Sequence, residues 1–207
     1  AFELATILYD QKEYQKANLY FKQIDTISPE FEGYEYGYAL SLHAEHQTEE
    51  ALRLTQQGLS KNPFDTRLLL LASQLSYELH DERKAEDYLL KAKDNAEDLE
   101  EIALRLSNLY LEQERFDEVL KFEEQDIDNV LTKWNIARAY QALEQTTAAL
   151  ERYRLLLSDL KENPEFLEQY IYLLREMGDF EEAKHQAEHY LHLVPDDVEM
   201  QELYNSL

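Results

Sequence analysis

A small residue recurs along this chain at a nearly constant spacing. The position is alanine in five places and valine in one. Its members are Ala17, Ala51, Ala85, Val119, Ala149 and Ala183. Successive members are 34, 34, 34, 30 and 34 residues apart. A fixed period of about 34 residues is typical of an array of helical hairpins, in which each hairpin packs on its neighbours, and not of one globular core.

The composition and the punctuation of the chain support long helices. Only four glycines and four prolines occur in 207 residues, and β-branched residues are scarce. Pro29 and Pro63 are 34 residues apart, and Pro195 follows the last full period. Because proline cannot continue a helix, each is expected to mark a boundary between units. Asn163-Pro164 predicts an N-cap followed by a first-turn proline.

The turn inside each hairpin is clearest near the end of the chain. Gly178 is expected to end one helix, and Asp179 to cap the next. The equivalent turns at Lys12 and Glu114 lack glycine. A second row of mostly small residues in the first helix of each unit predicts close helix packing. Its members are Ala5, Ala39, Ser73, Ser107, Ala137 and Ile171.

This alternation resembles the tetratricopeptide repeat family, and the segment from Phe166 to Pro195 matches its pattern best. The resemblance implies an all-α fold: a right-handed α-α superhelical solenoid of six helical hairpins plus a C-terminal capping helix, thirteen helices in total. We predict a single domain over residues 1–207. Its expected units are 1–29, 30–63, 64–97, 98–129, 130–163 and 164–195, with the capping helix at 196–207.

The fourth unit departs from the pattern. Glu123 and Asp126 occupy positions that hold Phe21 and Ile24 in the first unit, and burying unpaired carboxylates is unfavourable. The next unit also arrives four residues early, which is about one helical turn. We predict that the second helix of this unit stops near Glu124, and that residues 125–129 form an irregular joint. A bend or hinge and a harmless deletion both remain open.

Charge and composition exclude several classes of function. The net charge of −24 disfavours nucleic acids and anionic membranes, and favours basic or apolar protein partners. The absence of cysteine excludes disulfides and thiolate sites. The longest strongly apolar run, residues 68–72, is too short to span a bilayer. We expect a cytoplasmic protein. Because the chain starts with Ala1 inside a helical pattern, we also expect a piece of a longer protein.

The family resemblance implies that the first helices line a concave groove that binds peptides. Aromatic and polar side chains suit such a wall. The predicted contact residues are Tyr36, Tyr77, Asn108, Trp134, Arg138 and Tyr172. Some members of the family clamp a peptide carboxylate with asparagines and cations. Asn108 and Asn135 fit that arrangement, but its cations are missing and Glu168 would repel a carboxylate, so we predict no such clamp.

The remaining chemistry is sparse. His185, His189 and His192 share a helical face, but no residue is evident that would orient them, so we predict no metal and no cofactor. No nucleophile motif or phosphate-binding loop occurs, so we predict no enzyme. The expected function is a peptide-binding or protein-binding module that acts as adaptor, scaffold or regulator. The alternative is a structural oligomer that assembles through the uncovered N-terminal edge near Phe2 and Leu4.

Overall fold

The computed structural model describes residues 1–28, 31, 33–125 and 127–207. Within these ranges every regular element is an α-helix, and there are thirteen. The helices are α1 (Phe2–Asp10), α2 (Tyr14–Ile27), α3 (Tyr34–Ala44), α4 (Thr48–Lys61), α5 (Thr66–Glu78), α6 (Glu82–Lys93), α7 (Glu100–Glu112), α8 (Phe116–Leu120), α9 (Val130–Ala142), α10 (Thr146–Leu160), α11 (Pro164–Glu176), α12 (Phe180–Leu193) and α13 (Val198–Ser206). The predicted repeat fold of helical hairpins, closed by a last helix, is confirmed.

The helices group into two compact units, residues 1–102 and residues 103–207. In the first unit, α1 pairs with α2, α3 with α4 and α5 with α6, while α2 packs on α3 and α4 packs on α5. In the second unit, α9 pairs with α10 and α11 with α12, while α8 packs on α9 and α13 on α12. Met200 and Leu203 bury one face of α13 against the core of the second unit. The single continuous domain stays a prediction.

Both rows of small residues lie in the core. All six members of the row that begins at Ala17 are at most 1% exposed. The members of the row that begins at Ala5 are at most 3% exposed, and Ile171 takes its place in that row with no exposed surface. The period seen in the sequence is therefore the period of helix packing.

Each hairpin turn has the same backbone. The second residue after the first helix has a positive φ in six turns of the described chain, at Lys12, His46, His80, Glu114, Glu144 and Gly178. In the last of these turns, the amide of Gly178 donates to the carbonyl oxygen of Arg175 at 3.0 Å. The amide of Asp179 donates to the carbonyl oxygen of Leu174 at 2.9 Å. This is the Schellman motif, which favours glycine at the left-handed position. The other five turns place a longer side chain there.

Of the caps predicted at Asn163 and Asp179, the first is found and the second is not, and Asp65 caps another helix. Asn163 accepts from the amide of Phe166 at 3.2 Å, and Pro164 is the first residue of α11. Asp65, at the start of α5, accepts from the amide of Leu68 at 3.3 Å. Asp179 was expected to cap α12, but its side chain makes no capping bond. Its carboxylate instead accepts from Arg154 at 2.8 Å, because an arginine on α10 competes for it.

The second helix of the fourth unit is shorter than predicted. It ends at Leu120 and not near Glu124, turns follow over residues 121–124, and residues 127–129 are irregular. Glu123 is exposed and accepts hydrogen bonds from Arg152 and Tyr140. Leaving the helix early keeps this carboxylate out of the core, which explains the earlier end. Pro29, predicted to mark a boundary between units, and Asp126, predicted to lie in the irregular joint, are outside the described residues.

Candidate functional site

A polar network on α9 ties two helices of the second unit together. Asn135 is 2% exposed, and its side-chain amide donates to Ser107 Oγ at 2.9 Å and to Asn108 Oδ1 at 2.7 Å. Both amide hydrogens are therefore used within the protein. The side-chain oxygen of Asn135 accepts from Arg138 Nη1 at 3.4 Å. Asn135 thus holds Asn108 and Arg138 in place and has no hydrogen left for a ligand.

Arg138 is half-buried, and its guanidinium lies 5.6 Å from the centre of the Trp134 ring. Among the residues that the structure describes, no carboxylate forms an ion pair with it. Nearby arginines differ, since Arg152 pairs with Glu123 and Arg154 pairs with Asp179. Arg83 and Arg175 also form no ion pair among the described residues, so Arg138 is set apart by its place over the Trp134 ring and its hydrogen bond to Asn135. Its guanidinium keeps donors available for an acceptor from outside.

Trp134 lies in the core and not on the open face, which differs from its predicted role as a contact residue. Only 6% of the residue is exposed, and its ring meets Phe166 edge-on at 5.8 Å. Its indole N–H donates to Gln169 Oε1 at 3.2 Å, and the hydroxyl of Tyr153 donates to the same oxygen at 2.9 Å. What Trp134 offers to the surface is the ring face beneath Arg138.

Asn108 and Arg138 share one shallow pocket with a volume of about 310 Å³. Leu111 and Phe116 form the apolar part of its wall, and Glu112 lines it as well. Amide and guanidinium groups beside apolar walls can hold a peptide backbone while a side chain packs alongside. The structure thus brings together two of the predicted contact residues, with Trp134 beneath.

Tyr172, on α11, is engaged by the last helix. Its hydroxyl donates to Glu199 Oε1 at 3.1 Å. Burial, followed by that hydrogen bond, raises the pKa of Tyr172 above its ordinary value. The phenol therefore links α11 to α13, and its half-buried ring offers only part of its surface.

In the first unit, the predicted face carries groups that are paired with one another. The guanidinium of Arg67 lies 5.3 Å from the centre of the Tyr36 ring and pairs with Asp65 at 3.1 Å. His43 Nε2 lies 2.7 Å from Glu78 Oε2 on α5. Tyr77, also on α5, is 43% exposed. The cation over the aromatic ring is thus neutralised here, unlike Arg138 in the second unit.

Two contributors to the α9 network were not predicted as such. Ser107 was assigned to helix packing alone, and Gln169 was not singled out. The available signal was a hydroxyl and an amide on the inner side of helices that are otherwise lined with alanine and leucine. Most polar groups in a protein core have a hydrogen-bond partner.

Raising the pH from 10 to 12 is expected to destabilise the second unit. Burial raises the pKa of Tyr153 from 10.0 to about 12. Since folding favours the neutral phenol, this stability is complete below pH 10 and is lost as the pH rises through 12, by roughly 2–3 kcal/mol. Urea unfolding of the wild type and of Tyr153→Phe between pH 9 and 12 measures it. The variant should lose less stability over this interval, and parallel pH profiles would contradict the assignment.

Two further observations concern membranes and metals. None of the described helices has the length and hydropathy needed to cross a bilayer.

His189 Nε2 lies 2.9 Å from the carbonyl oxygen of Lys161, so this histidine contacts the end of the preceding hairpin. The described part of the chain shows no group of three or more His, Asp or Glu residues arranged to hold a metal ion.

One protein-family model matches part of the second unit. Residues 131–197 match the model of the YpiA-like C-terminal tetratricopeptide repeats. This segment contains Trp134, Arg138 and Tyr172, together with the hairpins α9/α10 and α11/α12. No protein with a curated description matches the chain in sequence.

Solved structures share the fold at low sequence identity. The C-terminal part of a tetratricopeptide repeat protein from Cytophaga hutchinsonii is 11% identical, with a TM-score of 0.78, over 93% of this chain and 79% of its own. YrrB, described as having an unusual peptide-binding site, is 13% identical, with a TM-score of 0.67, over 89% and 97%. A chain of the APC/C hetero-tetramer Cut9–Hcn1 is 14% identical, with a TM-score of 0.64, over 99% of this chain but only 41% of its own.

Proposed function

We propose that this chain, a tetratricopeptide repeat protein, binds a peptide segment of a partner protein through its first helices and acts as an adaptor, scaffold or regulator. Similar folds occur in YrrB, with its peptide-binding site, and in the Cut9–Hcn1 assembly. These likenesses support an interaction module in general. The particular site rests on the residues of this chain.

The observation that carries the proposal is Arg138, held over Trp134 by Asn135 with no acidic partner among the described residues. A guanidinium fixed in this way can donate to main-chain carbonyl oxygens, which every extended peptide offers at regular intervals. Asn108 shares its pocket and adds a second polar side chain. The proposed contact residues remain Tyr36, Tyr77, Asn108, Arg138 and Tyr172, with Trp134 as the support and reporter of Arg138.

The chemistry of the guest follows from the charge of the chain. A net charge of −24 attracts segments rich in lysine and arginine, and repels acidic ones. Leu111 and Phe116 in the pocket wall favour an apolar side chain. We therefore propose a basic or apolar peptide as the partner segment.

Replacing Arg138 with alanine is expected to weaken such binding at least tenfold, because its hydrogen bonds to the peptide are lost. Peptides selected from a random display library against the wild type provide the probe. Trp134 is the only tryptophan, so its emission should change on binding when the peptide reaches Arg138. Isothermal titration and tryptophan fluorescence measure the two effects.

The matched control is Arg83→Ala, which removes the same charge from an exposed position on α6. It should keep wild-type affinity. Equal binding by the Arg138→Ala and Arg83→Ala variants would move the site away from α9. Equal weakening in both would show that only the net charge matters.

Self-assembly is the second candidate, and exposed apolar residues at the first hairpin favour it. Ile7 is 51% exposed, Leu19 is 64% exposed and Ile27 is 78% exposed. Apolar surface of this kind is used in contacts between proteins. Sedimentation equilibrium separates the two candidates, since a structural oligomer dissociates when Ile7 and Ile27 are replaced with glutamine, whereas the peptide module keeps its mass.

A further inference from the structure

The hydrogen bonds around Asn135 can run in only one direction. A guanidinium donates and never accepts, so Asn135 must turn its side-chain oxygen toward Arg138, whose Nη1 lies 3.4 Å away. The side-chain nitrogen of Asn135 then faces Asn108 and donates to Asn108 Oδ1 at 2.7 Å. Asn108 in turn must present its oxygen to Asn135. Arg138 therefore fixes the orientation of both asparagine amides.

This direction leaves hydrogen-bond donors for the pocket that Asn108 and Arg138 share. Asn108 is exposed, and because its oxygen faces Asn135, its two N–H groups are turned away from Asn135. Among the residues that the structure describes, these N–H groups meet no acceptor. Arg138 has several further N–H donors besides the one that Asn135 accepts. The pocket therefore favours a ligand group that accepts hydrogen bonds.

A carboxylate also lines this pocket, and it decides the charge of the ligand group. Among the described lining residues, the negative charge of Glu112 balances the positive charge of Arg138. A carboxylate ligand would be attracted by Arg138 but repelled by Glu112, and the net charge of −24 adds to the repulsion. An ammonium ligand accepts no hydrogen bond, so it would leave the donors of Asn108 and Arg138 without a partner. A neutral group is thus favoured over both.

A primary carboxamide matches each of these side chains. Its oxygen can accept from Asn108 and Arg138, and its NH₂ group can donate to Glu112, since a carboxylate accepts several hydrogen bonds at once. Its methylene stem can pack on Leu111 and Phe116 in the apolar part of the wall. Glutamine and asparagine carry this group.

We propose that the pocket holds the side-chain carboxamide of a glutamine or asparagine in the partner peptide. This preference rests on the proposed peptide function and deepens it, because it names the residue that enters the pocket. The basic or apolar residues of the partner segment then lie outside the pocket. A main-chain carbonyl can still bind Arg138, whose donors can serve more than one oxygen.

The test uses peptides selected from a random display library against the whole wild-type chain. The tightest binders should share a glutamine or asparagine at one position. In a selected peptide, that residue is replaced with glutamate, methionine or lysine. Glutamate keeps the shape of glutamine and adds a charge, whereas methionine keeps the length and loses the hydrogen bonds. Each replacement should weaken binding to the wild type about tenfold in isothermal titration.

Asn108→Asp should change this preference, because it replaces the two N–H donors with an oxygen and adds a negative charge to the pocket. The variant should bind the carboxamide peptide about tenfold more weakly than the wild type does, and the lysine peptide more tightly. Its second oxygen can still accept from Asn135, and circular dichroism should confirm that it folds. Asn205→Asp is the matched control, since it makes the same substitution at an exposed position on α13. It should keep the wild-type order of the peptides.

Glu112→Gln gives a second test that leaves the hydrogen bonds of Asn135 in place. It should narrow the difference between the carboxamide and glutamate peptides, because the repulsion of glutamate is removed. An unchanged difference would contradict the assigned role of Glu112 and overturn the carboxamide preference.

Three other results would also overturn it: selected peptides without a shared carboxamide, a glutamate or methionine peptide that binds the wild type as tightly as the carboxamide peptide, or equal peptide orders for Asn108→Asp and Asn205→Asp. The peptide function itself survives these results as long as Arg138→Ala still weakens binding. Unchanged binding by Arg138→Ala, or a library that yields no binder, would contradict the peptide function and the carboxamide preference together.

Discussion

Replacing Phe166 with alanine is expected to lower the free energy of unfolding of the second unit by about 3–5 kcal/mol. Phe166 has no exposed surface, and its ring lies 5.8 Å from that of Trp134, 5.3 Å from that of Tyr153 and 6.1 Å from that of Tyr170. Alanine removes the ring that these aromatic residues share, and the rigid helices can close only part of the cavity. Urea denaturation followed by Trp134 fluorescence and by circular dichroism measures the loss.

Phe64→Ala serves as the control, since Phe64 is 65% exposed. It should change the stability by less than about 1 kcal/mol. A similar small change for Phe166→Ala would mean that the aromatic cluster of the second unit adds little to stability.

The Phe166→Ala variant should also weaken peptide binding, because Trp134 loses a neighbour that fixes its ring. Arg138 would then rest on a less defined surface, and peptide affinity should fall even below the unfolding transition.

Glycine at the five non-glycine turns is expected to stabilise the chain by about 3 kcal/mol in total. Lys12, His46, His80, Glu114 and Glu144 have φ between 56° and 61°, where an L side chain crowds its own backbone. Glycine removes this strain, and its greater freedom in the unfolded chain offsets part of the gain, which leaves roughly 0.5–1 kcal/mol for each turn. Thermal and urea unfolding of the single and combined variants measure the gain.

Two controls test the reason for this gain. Glu45→Gly changes a neighbouring residue with φ of −94° and should destabilise, since no strain is relieved there. Gly178→Ala makes the opposite change at φ of 77° and should cost about 1 kcal/mol. If Glu45→Gly stabilised as much as His46→Gly, the left-handed backbone would not be the cause.

The sequence predicted most of the fold because its information lies in the period. Ala17 and its five equivalents are all buried, and the number of helices follows from the number of periods. The length of α8 was predicted less well. Periodicity shows which residues face the core, but the end of this helix was decided by Glu123, whose carboxylate is better placed beside Arg152 and Tyr140 than in the core. Such a competition depends on residues 17 and 29 positions away.

The candidate site was predicted only in part, for a related reason. The helical register placed Trp134 and Arg138 on one side of α9, and they do lie together. It did not show that two residues of the next hairpin contact the indole: Phe166 packs edge-on against the ring, and Gln169 accepts its N–H hydrogen bond. Nor did it show that Asn135 uses both of its amide hydrogens on α7. These outcomes depend on side-chain packing between helices, which a pattern within one helix does not contain.

The short α8 has a consequence for how repeat proteins can acquire new surface. In this chain, a spacing of 30 residues where its neighbours have 34 goes with a second helix of five residues beside the hairpin of α9 and α10. The shorter spacing leaves α9 and α10 paired, and a groove of about 210 Å³ lies between this hairpin and the side chains of Phe122 and Ile127. A designer who restores four helix-forming residues before Asn129 should close that groove, and one who deletes a turn elsewhere has a route to make another.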